Sequence, residues 1–238
     1  MFLKIPGFFQ TELAVMNTKH FFQGEPANLM DLSAPAFTSK DRMGRIILLG
    51  MEEIFSCNEI SSVFDQPTLV DDITPYLQGK RELVLSFEML PQLQISLEQI
   101  YGISAGRGLA IRSGRAIFRH LLREFGAEMG LTDLKFRLLS LPARLKFSNQ
   151  ALVTLINRQD GQHVKFGMDD QYLHWTIERS PVNEEIRNEK STCHFIFGFL
   201  QEMLSWTSGG KIYQMEETDC IERGDPCCRI RIRKIPIS

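Results

Sequence analysis

The residues best equipped for chemistry in this chain crowd toward its C-terminal end. The stretch "MEETDCIERGDPCCRIRIRK", Met215 to Lys234, carries Cys220, Cys227 and Cys228 behind the pair Glu216 and Glu217, and Cys193 lies upstream. Thiolates and carboxylates are ligands for a divalent cation, and zinc takes four such groups in a tetrahedron. Glu217 and Cys220 stand three apart, Cys228 follows eight beyond Cys220 across a loop holding Gly224 and Pro226, and Cys193 is the candidate for the fourth place. Cys227 competes with Cys228, but strand neighbours face opposite ways, so one tetrahedron takes only one of them. Glu216 and His194 are adjacent alternatives. On spacing alone the sulfurs are equally compatible with small buried apolar residues, because free cysteine packs like one.

The rest of the composition narrows the classes. Five cysteines in 238 residues, with Cys57 alone and four in the last fifth, do not make a secreted disulfide framework. Lys plus Arg number 27 against 29 Asp plus Glu, so the net charge of -2 generates no whole-molecule field that gathers nucleic acid or anionic lipid. A local basic patch stays compatible with that balance. No apolar run approaches the roughly 18 residues of a membrane span, and "MFLKIPGFFQ" is interrupted by Lys4, Pro6 and Gly7 before a signal core forms. A soluble, cytoplasmic protein with no nucleic-acid partner and no membrane span is expected. No P-loop, dinucleotide fingerprint or Ser-His-Asp order appears, and "GISAGRG" has the wrong spacing, so no catalytic residue is assigned.

The elements that must position the sulfurs follow from periodicity. Residues 1–40 are expected as an irregular arm carrying Phe8, Phe9, Phe21 and Phe22, and 41–100 as a helical extension. Within the extension, Met43 to Phe64 has helical spacing with Ile46, Leu49 and Ile54 on an apolar side suited to a homodimer contact. A loop with Pro67 and Pro75 precedes a helix from about Phe87 to Tyr101, with Leu93, Leu97 and Ile100 on one side. The next helix presents Gly114, Ile117, Phe118, Leu121, Leu122 and Phe125 on one face, Arg112, Arg115, Arg119 and Arg123 on another, and Gly126 at its C-terminal cap. A helix through "NQALVTLINRQ" leads to a strand in which Leu173, Trp175 and Ile177 alternate with polar residues. After a polar loop over 180–191, a helix from about Thr192 to Trp206 runs to Gly209-Gly210, and a terminal hairpin sets Ile230 and Ile232 inward. The reading is an α+β fold, an antiparallel sheet packed with helices.

The order "CHFIFGFLQEMLSW", "GGK", "EETDCIERGDPCCRIRI", preceded by "GRGLAIRSGRAIFRHLLREFG", resembles the 4-vinyl reductase domain family over about Tyr101 to Pro236. The resemblance implies a small-molecule-binding domain over 101–238, related in fold to haem nitric-oxide sensors and vesicle-tethering subunits. It also implies a zinc held by Cys193, Glu217, Cys220 and Cys228. The last two intervals agree without adjustment, and the first differs by about one residue. Extra cysteines that some stand-alone members carry are missing where this chain reads "SPVNEE".

A site of three thiolates and one carboxylate is closed to substrate, so the expected zinc is structural, with Arg223 or Arg229 offsetting its negative charge. The resemblance further implies an apolar chamber. Trp175, Phe118, Phe166 and Phe199 are the expected lining, with Leu122, Phe136, Phe147 and Phe195 as further candidates. The arginine row could hold a ligand carboxylate, although such a row is more often a solvated helix side; His120 beside it raises a haem ligand as a weaker reading. Capture of an aromatic, lipid or tetrapyrrole by a homodimeric sensor or carrier, reporting to a downstream protein, is the leading expectation. An accessory protein or reductase of chlorophyll-type pigment synthesis and a tethering scaffold are the alternatives.

Overall fold

The structure is a computed structural model and describes residues 39–64, 85–160, 163–178 and 193–237. The expected N-terminal arm, the proline loop and the polar loop over 180–191 lie outside the described residues. Two helices open the fold, α1 (Ser39–Glu52) and α2 (Cys57–Phe64). The single helix expected over Met43–Phe64 is broken between them, because Ser56 and Glu59 form a reciprocal cap. The Ser56 N–H donates to Glu59 Oε2 at 2.8 Å, and the Glu59 N–H donates to Ser56 Oγ at 3.4 Å.

A short turn of 3-10 helix over Phe87–Met89 leads into α3 (Leu90–Tyr101), which begins with Pro91 in its first turn and ends at Gly102, φ +80°. The long helix α4 (Ile103–Phe125) follows, then the single-turn α5 (Leu134–Arg137) and α6 (Leu141–Asp160). Gly126 is the C-cap of α4, as expected, with a right-handed φ of -58°, and the left-handed φ of this turn falls at Gly130, +71°. Strands β1 (His163–Met168) and β2 (Tyr172–Glu178) precede α7 (His194–Ser208), and β3 (Met215–Asp219) and β4 (Cys227–Arg233) close the chain. The four strands form one antiparallel sheet in the order β1-β2-β4-β3.

Helix α4 is the spine, in contact with α1, α3 and α7. Its junction with α7 is close because two glycines meet backbone. A Cβ on Gly114 would come within 2.1 Å of the Phe195 carbonyl oxygen, and one on Gly198 within 2.0 Å of the Ile111 carbonyl oxygen. One continuous apolar core runs from Met43 and Ile46 in α1 to Ile230 and Ile232 in β4, so the helices before residue 101 share the interior of the rest. Ile46 is buried there and Ile54 packs against it, which removes much of the apolar face expected for a homodimer. Ile100, expected inward on α3, is exposed, while Leu93 and Leu97 are buried. No helix among the described residues is long and apolar enough to cross a membrane.

Candidate metal centre

Register places the sulfurs. Leu173 and Trp175 of β2 point into the core, and their β4 partners Ile232 and Ile230 share that face. Cys228, opposite Ile177, belongs to the same face, and Cys227, opposite Glu178, belongs to the other. On the far edge Glu217 pairs with Ile230, so Phe166, Trp175, Ile230 and Glu217 form one row across the sheet. A bulge between Glu217 and Asp219 then redirects the chain. A turn over Ile221–Arg223 ends at Gly224, φ +98°, and the Cys220 N–H donates to Asp225 Oδ2 at 2.8 Å. That knuckle returns the chain to Cys228 beside Cys220.

Cys193 completes the group from the N-cap of α7. The ligand atoms of Cys193, Glu217, Cys220 and Cys228 all lie within 4.8 Å of one another. Cys193 Sγ and Cys228 Sγ are 3.6 Å apart. Two sulfurs at about 2.3 Å from one tetrahedral ion would be separated by about 3.8 Å. The surroundings favour negative charge: the Cys193 N–H donates to Glu217 Oε1 at 3.3 Å, and the Ile221 N–H donates to Cys228 Sγ at 3.3 Å. The positive end of the α7 dipole adds to this.

These favourable contacts do not complete the site. The Glu217 side chain is 2 % exposed, its Oε2 accepts no hydrogen bond, and Arg223 Nη1 stays 3.9 Å away. Burial, then the negative potential of Cys220, pushes the Glu217 carboxyl up to about 7. Cys193 is raised by its hydrogen bonds with Cys220 and Cys228 and by burial. The contact from Cys193 lowers Cys228, but its hydrogen bond with Cys220 and its burial outweigh that, and it too ends high. Burial and the mutual proximity of these groups therefore outweigh the hydrogen bonds that favour the charged forms. A divalent cation there would reverse the balance, because it would attract all four groups at once. The donor set fits: three soft thiol ligands and one carboxylate, whose Oε2 is buried without a donor, form a group that could hold a metal ion.

The adjacent alternatives are occupied elsewhere. Cys227 receives a contact from Arg229 Nη2 at 3.8 Å, and Arg229 also pairs with Asp219, so Arg223 is the arginine nearer the cluster. Glu216 holds Arg231 at 2.7 Å. His194 meets Gln94, whose Oε1 accepts the His194 N–H at 2.8 Å and whose Nε2 is 3.2 Å from His194 Nδ1. Buried Gln94 was missed from sequence; its only signal there is a polar residue on the apolar side of α3, beside Leu93 and Leu97.

The expected lining falls in two adjoining places. Phe118 and Phe199 meet edge to face at 5.5 Å between α4 and α7, and Phe199 also meets Phe87 at 5.4 Å. Trp175 lies on the sheet beside half-buried Phe166 and donates its Nε1–H to Asn149 Oδ1 at 2.6 Å. Asn149 on α6 was also missed, although a polar residue on that helix's buried side is the mark of such a partner. Phe195 and Phe136 are buried with this core and Leu122 lies at its margin, whereas Phe147, which meets Phe136, is exposed.

Two of the four arginines in the row are engaged on the surface, and Arg112 and Arg123 are exposed. Arg115 donates to Gln201, and Arg119 pairs with Glu53 at 2.5 Å and Glu202 at 3.3 Å. His120 Nε2 lies 3.1 Å from Glu53 Oε2. The hydrogen bond from Arg119 holds the Glu53 carboxyl below its ordinary value, with a lesser contribution from His120. This cluster ties α1 and α7 to α4.

No family model matches the chain, and no curated protein matches its sequence. Among solved structures, an H-NOX protein from S. oneidensis in the Fe(II)NO ligation state superposes with a TM-score of 0.51 at 12 % identity, covering 84 % of this chain and 100 % of that one. This is an H-NOX-like fold. The Fe(II) unliganded H-NOX protein from K. algicida gives 0.45 at 9 % identity, over 82 % and 98 %. The phenol-responsive sensory domain of the transcription activator PoxR with phenol gives 0.42 at 18 % identity, over 71 % and 90 %.

Proposed function

We propose that this protein is a non-enzymatic small-molecule-binding domain of the 4-vinyl reductase type, built around a structural zinc. Its ligand is an apolar molecule, such as an aromatic, a lipid or a tetrapyrrole, held near Trp175, Phe118, Phe166 and Phe199. The convergence of Cys193, Glu217, Cys220 and Cys228 carries this reading, with Glu217 Oε2 left unsatisfied at its centre. Zinc there would supply a crosslink among α7, β3 with its knuckle, and β4, and four protein ligands would leave no position for a substrate. Cys228, Glu217 and Trp175 share one sheet face, so stiffening the metal corner also stiffens the apolar interior beside it. Occupancy of that interior would then be reported through α4 and α7 to a protein partner.

Among the described residues, haem held by histidine receives less support. His120, His174 and His194 are only half-buried and engaged with Glu53, Asp169 and Gln94, and His163 is exposed. Native mass spectrometry of the chain from its own host tests the proposal directly. The expected result is one zinc per chain and a co-purifying apolar molecule, with the subunit number read from the same spectrum. Metal-free protein that melts at the same temperature with and without added zinc overturns it.

A further inference from the structure

The structure carries a second chemical feature, remote in kind from the sulfur cluster and independent of the metal reading. Helix α5 and the turn after it hold two leucines out to solvent: Leu134 is 70 % and Leu138 77 % exposed. The Leu138 N–H donates to the Leu134 carbonyl at 3.1 Å, so the two stand one helical turn apart on one side. Beneath them Phe136 is buried, stacked on Trp206 at 5.7 Å and 8° and touching Phe147 at 5.6 Å. Trp206 and Phe147 are each 39 % exposed, so the leucines rise from a packed aromatic base with a wet edge.

The charge around this apolar group is one-sided. From Leu134 to Gln159 the sequence has no Asp or Glu, yet it holds Lys135, Arg137, Arg144, Lys146 and Arg158. Arg158 pairs with Glu128. Lys135, Arg137 and Lys146 are exposed and form no ion pair among the described residues. Asp133 is the acidic residue at the margin, and Glu202 on the Trp206 side is committed to Arg119. The chain as a whole is slightly acidic at -2, so this excess is local.

We propose that this end of the fold docks on an anionic lipid surface, with Leu134 and Leu138 entering the interface, Trp206 at the headgroup level, and Lys135, Arg137 and Lys146 on the lipid charges. Exposed leucines flanked by long cationic side chains and a half-buried tryptophan are the composition of an interfacial anchor. Lysine is depleted in protein–protein interfaces, and unpaired cations beside an apolar tip suit headgroups better than a protein groove. No described helix is long and apolar enough to span a bilayer, so the association lies on the surface.

Flotation of the full chain with vesicles tests this. Vesicles of phosphatidylcholine with phosphatidylglycerol are expected to carry the protein, vesicles of phosphatidylcholine alone to leave it behind, and added salt to weaken the binding. Each cation near the surface is worth about fivefold in partitioning, so the triple change of Lys135, Arg137 and Lys146 to Gln should weaken binding on the order of 100-fold. Leu134→Glu with Leu138→Glu should weaken it at least about tenfold. Both sets alter exposed side chains, and an unchanged melting temperature in the triple variant keeps the test valid should the leucine pair fold poorly. Equal binding to neutral vesicles, or no binding to anionic ones, overturns the proposal. So does a leucine variant that converts a dimer to a monomer in light scattering while vesicle binding persists, since the face would then belong to a second copy.

Discussion

Two buried regions share one face of the sheet and differ in how their polar atoms are satisfied. Around Trp175 the indole N–H reaches Asn149, whose own amide reaches the Leu145 carbonyl at 2.6 Å, and the neighbouring rings meet edge to face. Around Cys228 four groups that can all become anionic are packed together, and a carboxylate oxygen is buried without a donor. In the first region the indole and amide N–H groups are satisfied by protein atoms alone. The second is compact but unbalanced, and the balance is of the sign that a cation corrects. Buried polar groups are retained where they are paired, so the unpaired Glu217 oxygen beside three thiols marks a place where a cation would be accommodated.

The contrast can be broken most forcefully at Cys220. Cys220→Ser removes a soft donor from a fully buried position, and the expected outcome is loss of bound metal in elemental analysis with a stability loss of more than about 5 kcal/mol in thermal or denaturant unfolding. Phe199→Ala cuts into the first region instead. It should cost about 3–5 kcal/mol through a cavity while metal stoichiometry stays the same. If it also stripped the metal, the two regions would not be separable in the way described.

Asn149→Ala sharpens the comparison by leaving the Trp175 N–H without a partner. A loss of about 1–3 kcal/mol is expected, with a shift in tryptophan fluorescence and unchanged metal content. Cys227→Ser is the smallest change, because this thiol lies on the other sheet face. Stability should move by less than about 1 kcal/mol and metal content not at all, whereas loss of metal would place Cys227 in the cluster.

Legibility in the sequence followed chain distance. The knuckle from Glu217 to Cys228 is local, and alternation along β4 correctly assigned Cys227 and Cys228 to opposite faces. The amphipathic α4 and the strand bearing Trp175 were equally visible, because each repeats its burial with the period of its own element. The break between α1 and α2 was also written locally, as Ser56 and Glu59, but a continuous apolar period across Met43–Phe64 masked the cap. Gln94 serves His194 from a position 100 residues earlier, and Asn149 serves Trp175 from 26 earlier, on other elements. No spacing rule reaches across such separations.

By itself, then, the sequence determined the long amphipathic α4, the strand bearing Trp175 and the terminal hairpin, and that thiols and a carboxylate recur at intervals suited to one ion. These properties depend on neighbours a few residues away. Tertiary structure alone decided that Gln94 meets His194, that Ile46 is spent in the chain's own core, and that Leu134 and Leu138 remain outside it beside unpaired cations. Those outcomes depend on which surfaces meet when α4, α7 and the sheet pack, and packing is a property of the whole chain.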